Sequence, residues 1–285
     1  MDRKIKQRLL WIVVPVVLVL AGIFAIFMVM QKPQNSEEAA TEETGETGGI
    51  GDTVEALPEE TKDTTETLPE EETVESVLER MRPALVTLQD CENESAATVG
   101  SGFILEIGED KTYICTNRHV IEEYENWEIG FYDGTKIDGG MKAGVSQTYD
   151  VGIVTLDTNL IPQQLLQNLL SVDIDLDYWY ALQEQTDVGF VSMYQEEEDK
   201  YVKGLLLSTL TDFPWGNELR QSEFQMKFED GDSGSAIFDN SGHLISMVMG
   251  TSYGDETGRP RRWGVPLSAI MTCYMEIRAE AEEEQ

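Results

Sequence analysis

Hydrophobic positions follow three patterns along this 285-residue chain. Residues 9–30 form one uncharged apolar run, residues 74–81 place apolar side chains at helical spacing, and most of the remaining apolar residues fall in short stretches. These stretches are rich in β-branched and aromatic residues and are separated by Gly, Asp and Asn, which predicts strands. The predicted strands are 84–88, 102–107, 112–116, 127–132, 152–156, 189–194, 204–210, 235–238, 244–249 and 263–265. Many short strands with few long helices predict an all-β sandwich or barrel.

Three helices are predicted around these strands. Residues 74–81 form a short amphipathic helix that Pro83 ends, residues 161–171 form a connecting helix, and residues 268–281 form a C-terminal helix.

The apolar run at 9–30 would be about 33 Å long as a helix, which matches the hydrocarbon core of a bilayer. The alternative is a cleaved signal peptide, but the run is longer than a usual signal h-region and no small-x-small site follows it closely. Basic residues precede the run, in a stub at 1–8, and acidic residues follow it. The sequence therefore predicts a single transmembrane helix with a cytoplasmic N-terminus, a plasma-membrane location and an extracytoplasmic remainder.

Net charge is −34, and much of it lies between residues 36 and 75. Residues 31–75 are mainly Glu, Thr, Gly and Pro, a composition typical of a disordered acidic linker. A globular domain is predicted at 76–281, followed by an acidic tail at 282–285. Such an excess of carboxylates argues against nucleic acid as a partner, because phosphate binding needs a basic surface.

Three cysteines, Cys91, Cys115 and Cys273, have neither CxxC nor Cys/His spacing. The sequence therefore predicts no metal site, no disulfide framework and no cofactor. A single Cys91–Cys115 bridge and buried free thiols both remain open for these residues.

The strongest chemical motif is Gly231-Asp232-Ser233-Gly234-Ser235. A nucleophilic serine needs an exposed hydroxyl and backbone N–H groups aimed at the developing oxyanion, and glycines permit the sharp turn that this requires. An apolar strand, a turn and a second strand follow the motif. This setting favours Ser233 as a nucleophile over a simple hairpin loop.

A serine nucleophile needs a base, and histidine titrates near neutrality. The chain has two histidines. His119 follows a predicted strand and is the candidate base, whereas His243 lies in a hairpin turn and is expected to be solvated. Asp150 directly precedes an apolar strand and is the candidate carboxylate that orients the imidazole, although an ordinary turn aspartate would look the same.

Together these strings resemble the trypsin-like (chymotrypsin-fold) serine protease superfamily. They are closest to its bacterial HtrA/Deg-like and glutamyl-endopeptidase-like branches, with no PDZ domain expected after the protease domain. The similar segments are 82–88, the glycine-rich 100–105, Thr116-Asn117-Arg118-His119-Val120, 149–156, the GDSGS motif and 263–266. Motifs in the order His, Asp, Ser are more specific together than any one of them.

The resemblance implies two six-stranded-type antiparallel β-barrels with a C-terminal helix. It implies a triad of His119, Asp150 and Ser233, and an oxyanion hole formed by the N–H groups of Gly231 and Ser233. It also puts Lys227 near the floor of the pocket for the side chain before the cleaved bond, as a substrate-binding residue. The alternative for Lys227 is an ion pair with a neighbouring acidic residue, Glu229 or Asp230.

Asp232 raises a further question, because no activation site precedes the first strand that would supply a new N-terminal amine as its partner. Asp232 must therefore find another partner or stay solvated, and Lys227 or Arg261 is the expected partner.

The function expected from these observations is that of a membrane-anchored extracytoplasmic serine endopeptidase of bacterial origin, acting on protein or peptide substrates. The alternative is a catalytically inactive protease-fold module for peptide binding or signalling at the cell surface. The sequence leaves the oligomeric state open.

Overall fold

The predicted strands pair into two antiparallel β-structures that follow each other along the chain. The computed structural model describes residues 73–90, 98–122, 127–139, 141–193, 200–214, 219–253 and 259–283. Within them the all-β class is confirmed, together with the C-terminal helix.

A seven-stranded sheet forms the first β-structure, with the strand order β5-β4-β1-β2-β3-β7-β6. Its strands are β1 (Leu85–Asp90), β2 (Thr98–Ile107), β3 (Lys111–Thr116), β4 (Trp127–Phe131), β5 (Lys136–Asp138), β6 (Met141–Val145) and β7 (Gly152–Asp157). Only Gly139 and Gly140 separate β5 from β6, yet these strands lie at opposite edges of the sheet. The sheet therefore curls back on itself into a half-barrel.

The first β-structure differs from the predicted six-stranded barrel. Gly139 adopts a φ of 87°, a left-handed conformation that favours glycine. This conformation comes directly after β5, which pairs with β4, whereas β6 pairs with β7. One stretch of chain thus supplies two short edge strands.

A closed six-stranded barrel forms the second β-structure, with the order β10-β13-β12-β11-β8-β9, and β9 pairs with β10 to close it. Here the predicted barrel is confirmed. Its strands are β8 (Asp187–Ser192), β9 (Lys200–Asp212), β10 (Arg220–Gln225), β11 (Ala236–Asp239), β12 (Leu244–Ser252) and β13 (Arg261–Pro266).

Five α-helices lie in the described residues: α1 (Val74–Met81), α2 (Arg118–Ile121), α3 (Gln163–Leu166), α4 (Leu176–Ala181) and α5 (Leu267–Glu283). Short 3₁₀ turns span Arg82–Ala84 and Thr158–Leu160. The amphipathic helix α1 has the predicted bounds. Thr73 caps its N-terminus, since the Thr73 side chain accepts the backbone N–H of Ser76. The predicted connecting helix at 161–171 is shorter than expected, because only α3 forms there. The N–H groups of Leu170 and Val172 instead donate to the carbonyls of Pro83 and Ile104, so the helix does not continue through them.

One hydrophobic core joins both β-structures. Phe103 and Ile153 of the first sheet share it with Phe238 and Met247 of the barrel, and the apolar faces of α1 and α5 complete it. This shared core sets the relative position of the loops that carry the candidate site.

Several predicted segments lie outside the described residues: the stub at 1–8, the apolar run at 9–30, nearly all of the linker at 31–75 and the last two residues. Among the described helices, none combines the length and the apolar character that a membrane span requires.

Candidate active site

His119 lies on α2, directly after β3 ends at Thr116. Asn117 begins the helix: it is fully buried, and its side-chain amide donates to the backbone carbonyl of Asp150 at 3.0 Å. Thr116 pairs with Gly152 across β3 and β7. The two candidate catalytic segments are thus joined at adjacent strand ends.

Both carboxylate oxygens of Asp150 bind His119. Oδ2 lies 2.7 Å from the ring Nδ1, and Oδ1 accepts the backbone N–H of His119 at 3.0 Å. Because a carboxylate only accepts hydrogen bonds, Nδ1 carries the hydrogen, and in the neutral ring Nε2 is the acceptor. The side chain of His119 is 47% exposed, whereas that of Asp150 is 19% exposed. The hydrogen bond to Asp150 raises the pKa of His119, and partial burial opposes that rise.

Ser233 lies in a tight turn between two glycines with positive φ, Gly231 at 90° and Gly234 at 89°. A Cβ on Gly234 would lie 1.9 Å from the carbonyl oxygen of Ser101 and 2.6 Å from the hydroxyl of Thr116. The carbonyl of Ser233 accepts the N–H of Ser101 at 2.7 Å. The serine turn therefore packs directly on β2 and on the end of β3.

Gly100 brings the serine turn and the histidine helix together. A Cβ there would lie 2.7 Å from Val120, the residue after His119, and 3.0 Å from the carbonyl oxygen of Ser233. Within the described residues Ser233 Oγ donates no hydrogen bond to His119. The structure thus joins His119 to Asp150 directly and sets the serine turn beside α2, the helix that carries His119.

The N–H groups of Gly231 and Ser233 donate to no acceptor in the part of the chain that the structure describes. The neighbouring groups are engaged: the carbonyl of Gly231 accepts the hydroxyl of Ser101 at 3.3 Å, and the N–H of Gly234 donates to Val248 at 3.0 Å. The two N–H groups that the sequence predicts for the oxyanion hole are therefore the unpaired donors of this turn.

Residues 100–247, more than half of the chain, match the model of the trypsin-like peptidase domain. The chain belongs to this family. The match includes the histidine, aspartate and serine motifs, so the predicted superfamily is confirmed.

Solved structures with the same fold include the HtrA-type protease AlgW with a tripeptide, at 15% identity and a TM-score of 0.55, covering 70% of this chain and 62% of that one. A second is the serine endoprotease from Yersinia pestis, at 18% identity and a TM-score of 0.53, covering 72% of this chain and 66% of that one. The trypsin-like peptidase chain thus spans less than two thirds of either. At these identities the likeness is one of fold. A comparison with curated proteins gave no match.

Asp232 corrects one expectation about this trypsin-like peptidase. Its predicted cationic partners are engaged elsewhere: Arg261 binds Glu223 through two bonds of 2.7 and 2.6 Å, and Lys227 pairs with Glu229. The carboxylate of Asp232 instead accepts the hydroxyl of Ser192 at 2.5 Å and the N–H of Glu229 at 2.7 Å. Both hydrogen-bond donors are neutral groups of the barrel and of the loop itself.

Lys227 lies on the surface, with its side chain 68% exposed. It lines a depression of about 190 Å³ together with Lys200, Lys203 and Glu229. The ion pair with Glu229 is the alternative considered for it from sequence. Its role in substrate binding stays a prediction.

His243 is not the solvated hairpin residue that the sequence predicts. Its ring stacks on Tyr178, with centroids 4.4 Å apart, and its nitrogens lie 3.4 Å from Asp173 and 3.6 Å from Asp239. Tyr178 lies in α4 and Asp173 just before it, whereas Asp239 is the last residue of β11. The contacts with Tyr178 and Asp173 therefore depend on the tertiary fold.

Cys115 and Cys273 are free and buried, which agrees with the buried-thiol interpretation for these two, and Cys91 lies outside the described residues. Sequence reasoning missed Asn117, Ser101 and Ser192 as site residues. Asn117 and Ser101 lie within motifs that the resemblance uses, whereas no local pattern marks Ser192.

Proposed function

We propose that this protein is a serine endopeptidase that hydrolyses peptide bonds in protein or peptide substrates. The observation that carries the proposal is the double contact of Asp150 with the ring and the backbone of His119. This contact sets both the ring orientation and the tautomer of a base beside the serine turn, as nucleophilic catalysis requires.

The proposed reaction begins with substrate in the cleft. Ser233 Oγ attacks the peptide carbonyl while His119 Nε2 takes the proton of the Ser233 hydroxyl. Asp150 stabilises the imidazolium that forms. The N–H groups of Gly231 and Ser233 bind the oxyanion of the tetrahedral intermediate. His119 then gives the proton to the leaving amine, which leaves an acyl-enzyme on Ser233. Water activated by the same histidine hydrolyses the ester.

The resting arrangement suits such a mechanism without a bond between Ser233 and His119. In free enzymes catalytic hydrogen bonds are often long, and they shorten when substrate binds. The two available N–H donors at Gly231 and Ser233 support a site that is ready to receive a carbonyl oxygen.

We infer that the peptidase is anchored by residues 9–30 and works outside the plasma membrane. This inference rests on the length of the apolar run and on the basic residues before it. Alkaline carbonate extraction of membranes tests it. The chain should remain in the membrane pellet, and its appearance in the supernatant would contradict the anchor.

The two histidines allow a matched test of the catalytic proposal. Full chains carrying Ser233→Ala or His119→Gln should lose hydrolysis of a quenched fluorescent peptide library by about 10³-fold or more, since each removes one triad member. His243→Gln should keep wild-type activity. A folded wild type that binds peptides but cleaves none would favour the inactive binding module instead.

A further inference from the structure

Asp232, between Gly231 and Ser233, is a buried carboxylate with an unusual set of partners. The residue is 1% exposed. Its two oxygens accept from neutral donors, the hydroxyl of Ser192 at 2.5 Å and the N–H of Glu229 at 2.7 Å. A buried carboxylate is costly unless it is hydrogen-bonded, so these two donors carry much of its stabilisation.

Ser192 comes from the barrel wall. It is the last residue of β8, is itself buried, and faces Lys200 across the β8–β9 pair. Lys200 contacts the same loop at its other end, with its Nζ 3.3 Å from a carboxylate oxygen of Glu229. Two facing residues of β8 and β9 therefore hold a loop that begins at Glu229 and ends at Asp232.

Asp232 connects this attached loop to the candidate oxyanion hole. Its own N–H donates to the carbonyl of Glu229 at 3.2 Å, and its carbonyl accepts the N–H of Ser235 at 3.0 Å. Both backbone groups and both carboxylate oxygens of Asp232 are thus engaged. The peptide group after Asp232 carries the N–H of Ser233, and Gly231 is the residue directly before Asp232. The positions of both candidate donors therefore depend on this anchor.

We propose that Ser192 is a positioning residue that holds the oxyanion loop in its catalytic conformation by binding Asp232. The inference rests on the proposed function. The hydroxyl of Ser192 thus binds Asp232 where the sequence predicted Lys227 or Arg261. Burial raises the pKa of Asp232 and the hydroxyl of Ser192 opposes that rise, as expected of a donor that favours the ionised form.

The test compares Ser192→Ala, Ser192→Thr and Ser222→Ala in the full chain. Ser222 is a matched control, because it is a fully buried serine of the same barrel whose hydroxyl donates to the carbonyl of Thr209 at 2.9 Å. Ser192→Ala should lower kcat about 10- to 100-fold, the range for a lost hydrogen bond to a charged group. KM should change little, because an oxyanion hole acts on the transition state.

Rescue separates positioning from a general loss of stability. Ser192→Thr keeps the hydroxyl and should restore most of kcat, while Ser222→Ala should keep kcat at a comparable loss of thermal stability. Should Ser192→Ala fail to fold, Ser192→Thr is compared with the similarly shaped Ser192→Val, and only the valine variant should lose kcat.

A folded Ser192→Ala chain with wild-type kcat would overturn the inference alone, as would equal kcat losses in Ser192→Ala and Ser222→Ala. A folded wild type that neither cleaves peptides nor acylates at Ser233 would overturn the proposed function, and this inference with it.

Discussion

At the scale of single residues, the proposed mechanism makes activity depend on the protonation of His119. The hydrogen bond to Asp150 raises the pKa of the imidazole above its usual 6.5, and partial burial opposes this. A general base must be neutral, so activity should appear only as the pH rises through that raised pKa.

The first prediction concerns the acid limb of the pH profile. In wild type the midpoint of the rise in kcat/KM with pH should lie above pH 6.5. Asp150→Asn removes the interaction that raises the pKa, so the limb should move to lower pH and kcat should fall by about 10⁴-fold. Asp173→Asn, beside His243, serves as the control and should leave the limb in place. A wild-type limb below pH 6.5 would contradict the predicted direction.

The second prediction concerns Gly234, where backbone conformation and space act together. Gly234→Ala puts a Cβ 1.9 Å from the carbonyl oxygen of Ser101 at a φ of 89°, and should cost more than about 2 kcal/mol in the free energy of unfolding. Gly134 has a similar φ of 85° but open space around it, so Gly134→Ala should cost about 1–2 kcal/mol. Urea unfolding measures both, and equal losses would show that the contact with Ser101 does not matter.

At the scale of elements, local pattern predicts well where packing follows it. The apolar residues of α1 recur at helical spacing, and all four of Val74, Val77, Leu78 and Met81 are buried. Strand β10 shows the opposite case. Its sequence, RQSEFQ, is polar, yet Gln221 and Ser222 are buried because the strand closes the barrel between β9 and β13. No local pattern could have predicted it.

The third prediction tests whether α1 belongs to the folded domain. Leu78 is fully buried against Gly189 of β8, so Leu78→Ala should cost about 2–5 kcal/mol in the free energy of unfolding. Glu75→Gln on the exposed face removes only a surface pair with Lys203 and should cost less than about 1 kcal/mol. Chemical denaturation measures the free energy of unfolding of both variants. An unchanged midpoint for Leu78→Ala would mean that the helix contributes nothing to the core.

At the scale of the whole molecule, the candidate site is assembled from both β-structures. The sequence motifs could name His119, Asp150 and Ser233, because each lies in a local string with its own chemical logic. They could not predict that Gly100 lies between the histidine helix and the serine turn, or that Ser192 binds Asp232. Those contacts join residues far apart in sequence, so they depend on the tertiary fold.

Covalent labelling tests the central claim most directly. A fluorophosphonate probe should modify the full wild-type chain once, at Ser233, because only an activated serine reacts readily. Labelling should vanish in Ser233→Ala and fall sharply in His119→Gln, while His243→Gln should label as wild type does. Peptide mapping by mass spectrometry identifies the modified residue. A well-folded wild type that stays unlabelled, or is labelled at another residue, would contradict a peptidase mechanism built on Ser233.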